Sequence, residues 1–346
     1  MTPPEPGDVG NPFQSLLGDL MNMLGTNGPD QWEMTRSFAL NVATGGEAEP
    51  NVEPVQRIRL EQLARVAELN VSEVTGLAVA PDGRRLSCVA VGRGDWTLRA
   101  LDSWRAVLSS MAPADELLLV TANIASFADD WSLPEEEALL WVCARELATN
   151  AVLTRPDVRA RIEELLHAYA VSPASAQQDL AGKLRGLTGG DDPGAMGAGM
   201  DLESLQGMFG DPEALMGELL TPESRRTSDR LTAVAVVVDA YADHIATRVG
   251  AKLVGAHTQL AEAWYRRRTE RGKGEEAAGA LFGLDLDQAQ VDRGRAFVAG
   301  VVERAGEDGL ARLWNPARNL PTPAEVDAPG LWLERIDLPE LDAPDD

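Results

Sequence analysis

Leu139-Leu140-Trp141-Val142-Cys143-Ala144-Arg145-Glu146-Leu147-Ala148-Thr149-Asn150 is the stretch on which the reading of this 346-residue chain turns. Leu139, Leu140, Cys143, Leu147 and Ala151 recur at three- and four-residue spacing, which predicts one helix with that face buried. Glu135-Glu136-Glu137 places three acids where they favour the positive end of a helix dipole, so the helix is expected to begin there. Pro156 restricts the residue before it and sets the end near Thr154. Arg145 and Glu146 interrupt the apolar run at its centre. An unpaired charge buried there is costly, so both need partners.

Working outward, helical periodicity dominates. Pro54 opens a long helix with Val55, Ile58, Leu60, Leu63, Val66, Ala67 and Leu69 read as one broad apolar stripe. Shorter helices are expected around Leu16-Leu17, Leu20, Met21 and Leu24, and after Asp30, with Trp32, Phe38 and Leu40 on the apolar side. The pattern breaks over residues 71–99. Val74 to Val79, Pro81-Asp82-Gly83 and Leu86 to Val91 fit two short strands joined by a turn, or an irregular connector. Leu117 to Ile124 fits a helix as well as a strand. Further helices are expected over 97–111, 158–171, 230–249 (capped by Ser228 or Asp229) and 257–268, and from Val291 to a stop at Gly306. A short helix through Leu310 and Trp314 and a turn with helix start at Leu320-Pro321-Thr322-Pro323-Ala324-Glu325 complete the chain. The expected class is mainly α, with a small β element around 71–99. One domain over 13–335 is expected, with a flexible Gly/Asp-rich insertion near 187–200, a disordered tail over 1–12 and an acidic tail over 336–346.

Lys+Arg of 31 against Asp+Glu of 55 gives a net charge of −24. Such a surface repels phosphate backbones and anionic lipid headgroups, which disfavours nucleic-acid and membrane-surface roles. Arg266-Arg267-Arg268 reads as a solvated face. Cys88 and Cys143 stand far apart in apolar surroundings, as reduced core thiols would, and no Cys-x-x-Cys pair offers a thiolate zinc site. The opening residues lack the basic and apolar regions of a secretion signal, and a cytoplasmic location is expected. No Gly-x-Ser-x-Gly, phosphate loop or dinucleotide fingerprint occurs, and Gly92-Arg93-Gly94 reads as a turn.

The central helix has the outline of the zinc-peptidase motif His-Glu-x-x-His, in which two histidines hold the ion and the glutamate is general base. Here Glu146 keeps the glutamate's place, while Arg145 and Thr149 occupy the histidine positions. A guanidinium has no lone pair to give a cation, and a threonine hydroxyl is a weak zinc ligand. The chain's histidines are His167, His244 and His257, none paired at ligand spacing. A second charged intrusion is Asp239, which follows five apolar residues in Ala233 to Val238 and precedes Asp243-His244. It is read as a carboxylate facing the core or a cleft.

Several segments make the chain resemble the actinobacterial zincin-like metallopeptidase family, whose members are often labelled hydrolases or linked to deazaflavin-coenzyme biosynthesis. These are Asn11-Pro12-Phe13, Leu16-Leu17-Gly18-Asp19-Leu20, Gly28-Pro29 with Trp32, Trp141-Val142-Cys143, Asp239-Ala240-Tyr241-Ala242-Asp243, Phe297-Val298 with Val301-Val302-Glu303, Leu310 with Trp314, and Leu320 to Glu325. The resemblance implies a mostly helical zincin-like fold. It maps the base onto Glu146, the histidine ligands onto Arg145 and Thr149, and a downstream acidic ligand onto Asp239. Zinc is the family's cofactor, but those ligands are not present here, and none is expected to bind.

Arg145 is expected within salt-bridge distance of Asp239 or Glu146, standing in for the ion's charge. The alternative is a local pair with Glu137 or Asp157. The function expected is a non-catalytic binding or interaction protein with a protein or peptide partner. An active hydrolase with a metal site rebuilt from His244, Asp243 and Asp239 is the alternative, and a plain acidic scaffold is a third reading.

Overall fold

The structure is a computed structural model and describes residues 36–37, 40–41, 43–46, 48–49, 51–80, 86–99, 116–168, 222–269 and 286–338. The expected N-terminal tail, residues 339–346 of the expected acidic tail, the insertion near 187–200 and the helix around Leu16 to Leu24 lie outside the described residues; residues 336 and 337, assigned to the acidic tail, instead belong to the last helix, with Ile336 buried. Helix α1 spans Pro54–Thr75 and strand β1 Ser87–Val91. Strand β2, Glu116–Val120, runs directly into α2, Thr121–Asp130. Helix α3 is Glu135–Leu153, α4 covers 156–168, α5 is Pro222–Leu253 and α6 His257–Thr269. Helices α7 (Gln288–Ala311), α8 (Pro323–Val326) and α9 (Pro329–Asp337) complete the order. The mainly α class is what the periodicity indicates.

Helix α3 is the axle of the fold. Leu139, Leu140, Cys143, Leu147 and Ala151 are buried as expected, but so are Trp141, Val142, Ala144 and Ala148 on its other sides. A helix apolar all round is enclosed by others. Here α5 and α1 flank it, with α2 and α6 beside them.

The small sheet differs from the hairpin considered above. Val74 and Thr75 belong to α1, which ends at Gly76 with φ of 66° and the Gly76 N–H donating to the Ser72 carbonyl. This left-handed cap suits glycine, and it stops the helix before the segment can become a strand. β1 pairs instead with β2, in parallel, Ser87 opposite Glu116 and Val91 opposite Val120. Parallel strands cannot be joined by a tight hairpin turn, which is why the partner of β1 is not its neighbour in sequence. Leu117 to Ile124 is thus strand first and helix second.

Two further corrections concern helices. α5 begins at Pro222, so Ser228 and Asp229 lie inside it and do not cap it; proline at the first position and Glu223 behind it suit a helix start. α1 carries two apolar faces, not one stripe. Leu60, Ala64, Ala67 and Val71 enter the core, while Val55, Ile58, Val66 and Leu69 point outward.

Close approach fixes the α5–α7 contact. A Cβ built at Gly294 would overlap the Val236 carbonyl oxygen, so only glycine permits this spacing. Further along α7, Gly306 with φ of 66° kinks the helix where a stop was expected. The C-terminal segment is pinned by polar bonds. Thr322 and Glu325 form a capping box on α8. Arg335 donates to the Glu325 carboxylate and to the Arg318 and Leu320 carbonyls. The Trp332 Nε1–H donates to the Asn319 carbonyl at 2.5 Å, and Arg155 Nε donates to the Trp314 carbonyl at 2.7 Å, tying the segment after α7 to the end of α3.

Gly294→Ala is expected to lower stability by about 1–3 kcal/mol, because α7 must back away from α5; chemical denaturation measures it. Burial alone would raise the Glu325 carboxyl, but hydrogen bonds from Arg335 and Thr322 outweigh it and hold its pKa below the usual glutamate value. A depressed folded-state pKa gives stability that is present above the unfolded pKa and lost as pH falls through the folded one. Glu325→Gln is therefore expected to cost roughly 1–3 kcal/mol near neutrality. The gap between variant and native chain should close on acidification, as pH-dependent thermal melts would show.

Candidate functional site at the centre of α3

Arg145 and Glu146 sit midway along α3, and Asp239 and Asp243 lie four apart on α5, which puts both carboxylates on one face of that helix. Because α5 packs along α3, that face meets Arg145. The guanidinium uses all three of its nitrogens. Nε donates to Asp243 Oδ1 at 2.8 Å, Nη1 to Glu146 Oε1 at 2.7 Å, and Nη2 to Asp239 Oδ1. Its Cζ lies 5.1 Å from the ring centroid of Trp264 on α6. Trp264 in turn contacts Phe127 and Trp141 at centroid separations of 5.5 and 5.4 Å.

The Arg145 side chain is buried, while Glu146, Asp239 and Asp243 are partly exposed. Burial works against the guanidinium's charge, yet the fields of Asp243, Glu146 and Asp239 outweigh it and hold its pKa above the ordinary arginine value. The cation is therefore permanent. Planar forking onto carboxylates is what arginine does best, and a ring face beneath it adds favourable electrostatics.

The expected pairing of Arg145 with Glu146 or Asp239 is present with both at once. The local alternative is not taken: Glu137 accepts the Ala256 backbone N–H at 2.8 Å, and Asp157 is exposed beyond the end of α3. Asp243 as a third partner was missed. Its four-residue spacing from Asp239 was the available signal, but it was read with its neighbour His244 instead. Trp264 had no sequence signal, since its role depends on how α6 crosses α3. Thr149 donates its hydroxyl to the Arg145 carbonyl at 3.1 Å, a within-helix bond.

The histidines lie elsewhere. His244 Nε2 is 3.0 and 3.2 Å from the two Glu307 oxygens, and Arg248 donates to the same carboxylate at 2.8 Å. His244 therefore does not join Asp239 and Asp243, nor does it form the exposed pair with Asp243 that was considered. His167 is exposed on α4. His257 opens α6, its Nδ1 3.2 Å from the Val254 carbonyl oxygen. Cys143 is buried and Cys88 half-buried, both free. Burial, with Glu68 nearby, pushes the Cys88 thiol up to about 11, and burial raises Cys143 further, so both behave as core residues. In the basic run, Arg266 pairs with Glu262 at 2.7 Å, whereas Arg267 lies over the Phe127 ring rather than wholly in solvent.

A family model described as zincin-like metallopeptidase matches residues 31–114 and 107–333, nearly all of the chain. The chain belongs to the zincin-like metallopeptidase family. Its fold is also similar to that of a crystal structure from Chloroflexus aurantiacus described as a "putative hydrolase with a novel fold", with a TM-score of 0.65 and 21% identity over 89% of this chain and 99% of that one. No curated protein matches. The zinc that the name of this zincin-like family implies does not fit the side chains as they stand. A guanidinium occupies the space between the carboxylates and repels a dication, and among the described residues no group of three or more His, Cys, Asp or Glu could hold a metal ion. Among those residues no helix is long and apolar enough to cross a membrane.

Arg145→Met is expected to destabilise the fold by about 3–5 kcal/mol, since it leaves three carboxylates facing one another without the cation. Adding Asp239→Asn should recover part of that loss. A double-mutant cycle read by urea denaturation would give the coupling, and additive losses would argue against a shared network.

Proposed function

We propose that this chain is a non-catalytic member of the zincin-like metallopeptidase family, acting in the cytoplasm as a binding or interaction protein for a protein or peptide partner. The observation that carries this is the three-way fork of Arg145 onto Glu146, Asp239 and Asp243. In this reading the motif Arg145-Glu146-x-x-Thr149 is degenerate. The carboxylate that would serve as base is held by the guanidinium at 2.7 Å, and the second ligand position is a hydroxyl bonded within its own helix. Arg145 supplies one fixed positive charge where a dication would stand, and so keeps the acidic cluster foldable without metal. The rebuilt metal site drawn from His244, Asp243 and Asp239 has no comparable support, because His244 turns to Glu307. The net charge of −24 favours partners with basic or neutral surfaces.

The test compares metal content and peptide hydrolysis of the native chain with an Arg145→His/Thr149→His variant. The native chain is expected to emerge from dialysis free of zinc and to leave peptides intact, while the variant retains zinc on the restored histidine pair with Asp239 or Asp243 as a further ligand. Stoichiometric zinc and peptidase activity in the native chain would overturn the proposal.

A further inference from the structure

Independently of the Arg145 cluster, the outward face of α1 carries a pattern the core does not use. Val55 is 63% exposed, Ile58 56%, Val66 40% and Leu69 72%, with Gln62 exposed between them. These are four of the nine exposed large apolar side chains among the described residues, and all stand on one stripe opposite the buried Leu60, Ala64, Ala67 and Val71. The intervals along the stripe are three, four, four and three, which read the same in both directions about Gln62.

That symmetry is what a two-fold contact between identical helices requires. Laid antiparallel on a second copy, Val55 meets Leu69, Ile58 meets Val66, and Gln62 meets its own counterpart, where two amides can exchange hydrogen bonds. The charges agree. On one flank of the stripe, Arg65, which also donates to Glu68 of its own helix at 2.6 Å, comes beside Glu61 of the other helix, whereas a parallel arrangement brings no acid of the second copy to Arg65 on that flank. We propose that two copies of this chain associate through these faces, antiparallel about an axis at Gln62.

The stripe is about 21 Å long from Val55 to Leu69. One helix face of that length falls at or below the roughly 800 Å² per partner of a standard interface. The net charge of −24 also opposes contact at low salt. The dimer is therefore a reversible, concentration-dependent one.

Sedimentation of the full chain at about 0.15 M salt, near the physiological screening length, should show the mass rising with concentration from 37.1 kDa towards twice that value. Ile58→Glu and Leu69→Glu should each hold the chain at the monomer mass. Both positions are exposed, so the melting temperature should not fall. Gln62→Cys should form a disulfide-linked dimer on mild oxidation, whereas Glu73→Cys, eleven residues from the axis, should not. The native chain with Cys88 and Cys143 serves as control. A constant mass of 37.1 kDa overturns the proposal, as does dimerisation that survives Ile58→Glu. Equal cross-linking of the two cysteine variants would mean a parallel or unspecific contact. A monomeric Gln62→Cys chain whose new thiol is protected from alkylation would mean that the face is covered by the chain's own residues. Either result also overturns it.

Discussion

The guanidinium of Arg145, held between three carboxylates from two helices, is the constraint that the centre of this protein is built to satisfy. A charge on the innermost helix would be untenable alone. It is tolerated because α5 brings Asp239 and Asp243 to meet it and α6 lays the Trp264 ring against it. The cluster in turn needs those helices in register. A shift of α5 along α3 by one turn would bring one aspartate to the other's place and take the second out of reach, so the full set of bonds to the fork favours a single register.

The rest of the fold reads as support for that register. α5 is packed in turn against α7, which comes close because Gly294 has no Cβ to collide with Val236. The C-terminal helices are fastened by Glu325, Arg335 and Trp332, and Arg155 ties the segment after α7, at Trp314, to the end of α3. The chain thus closes on the helix around which it is organised. This architecture is that of a zincin-like metallopeptidase family member whose central helix carries an arginine held by three carboxylates.

Much of this was legible in the residues, and the failures have physical causes. The burial of α3, its start at the triple glutamate and its end at Thr154 follow from spacing, dipole and proline rules. The need for partners at Arg145 follows from desolvation, and Glu146 and Asp239 could be named. Asp243 was within reach of the same helical-face argument, but its neighbour His244 drew it into the wrong pair. Trp264 and Glu307 could not be found, because which side chains meet depends on helix crossings that a linear pattern does not encode. The parallel sheet was hidden for the same reason: Ser87–Val91 looked for a neighbour in sequence, and its partner lies beyond a crossover. Two apolar faces on α1 were merged into one stripe because each has the same period.

The central claim is that a guanidinium stands where the family's ion would stand. Crystals of the native chain soaked in zinc and measured at the zinc absorption edge test it most directly. The account predicts Arg145 unmoved between Glu146, Asp239 and Asp243, with no anomalous peak among them. An anomalous peak bonded to Glu146 or Asp239, with the arginine swung aside, would contradict it.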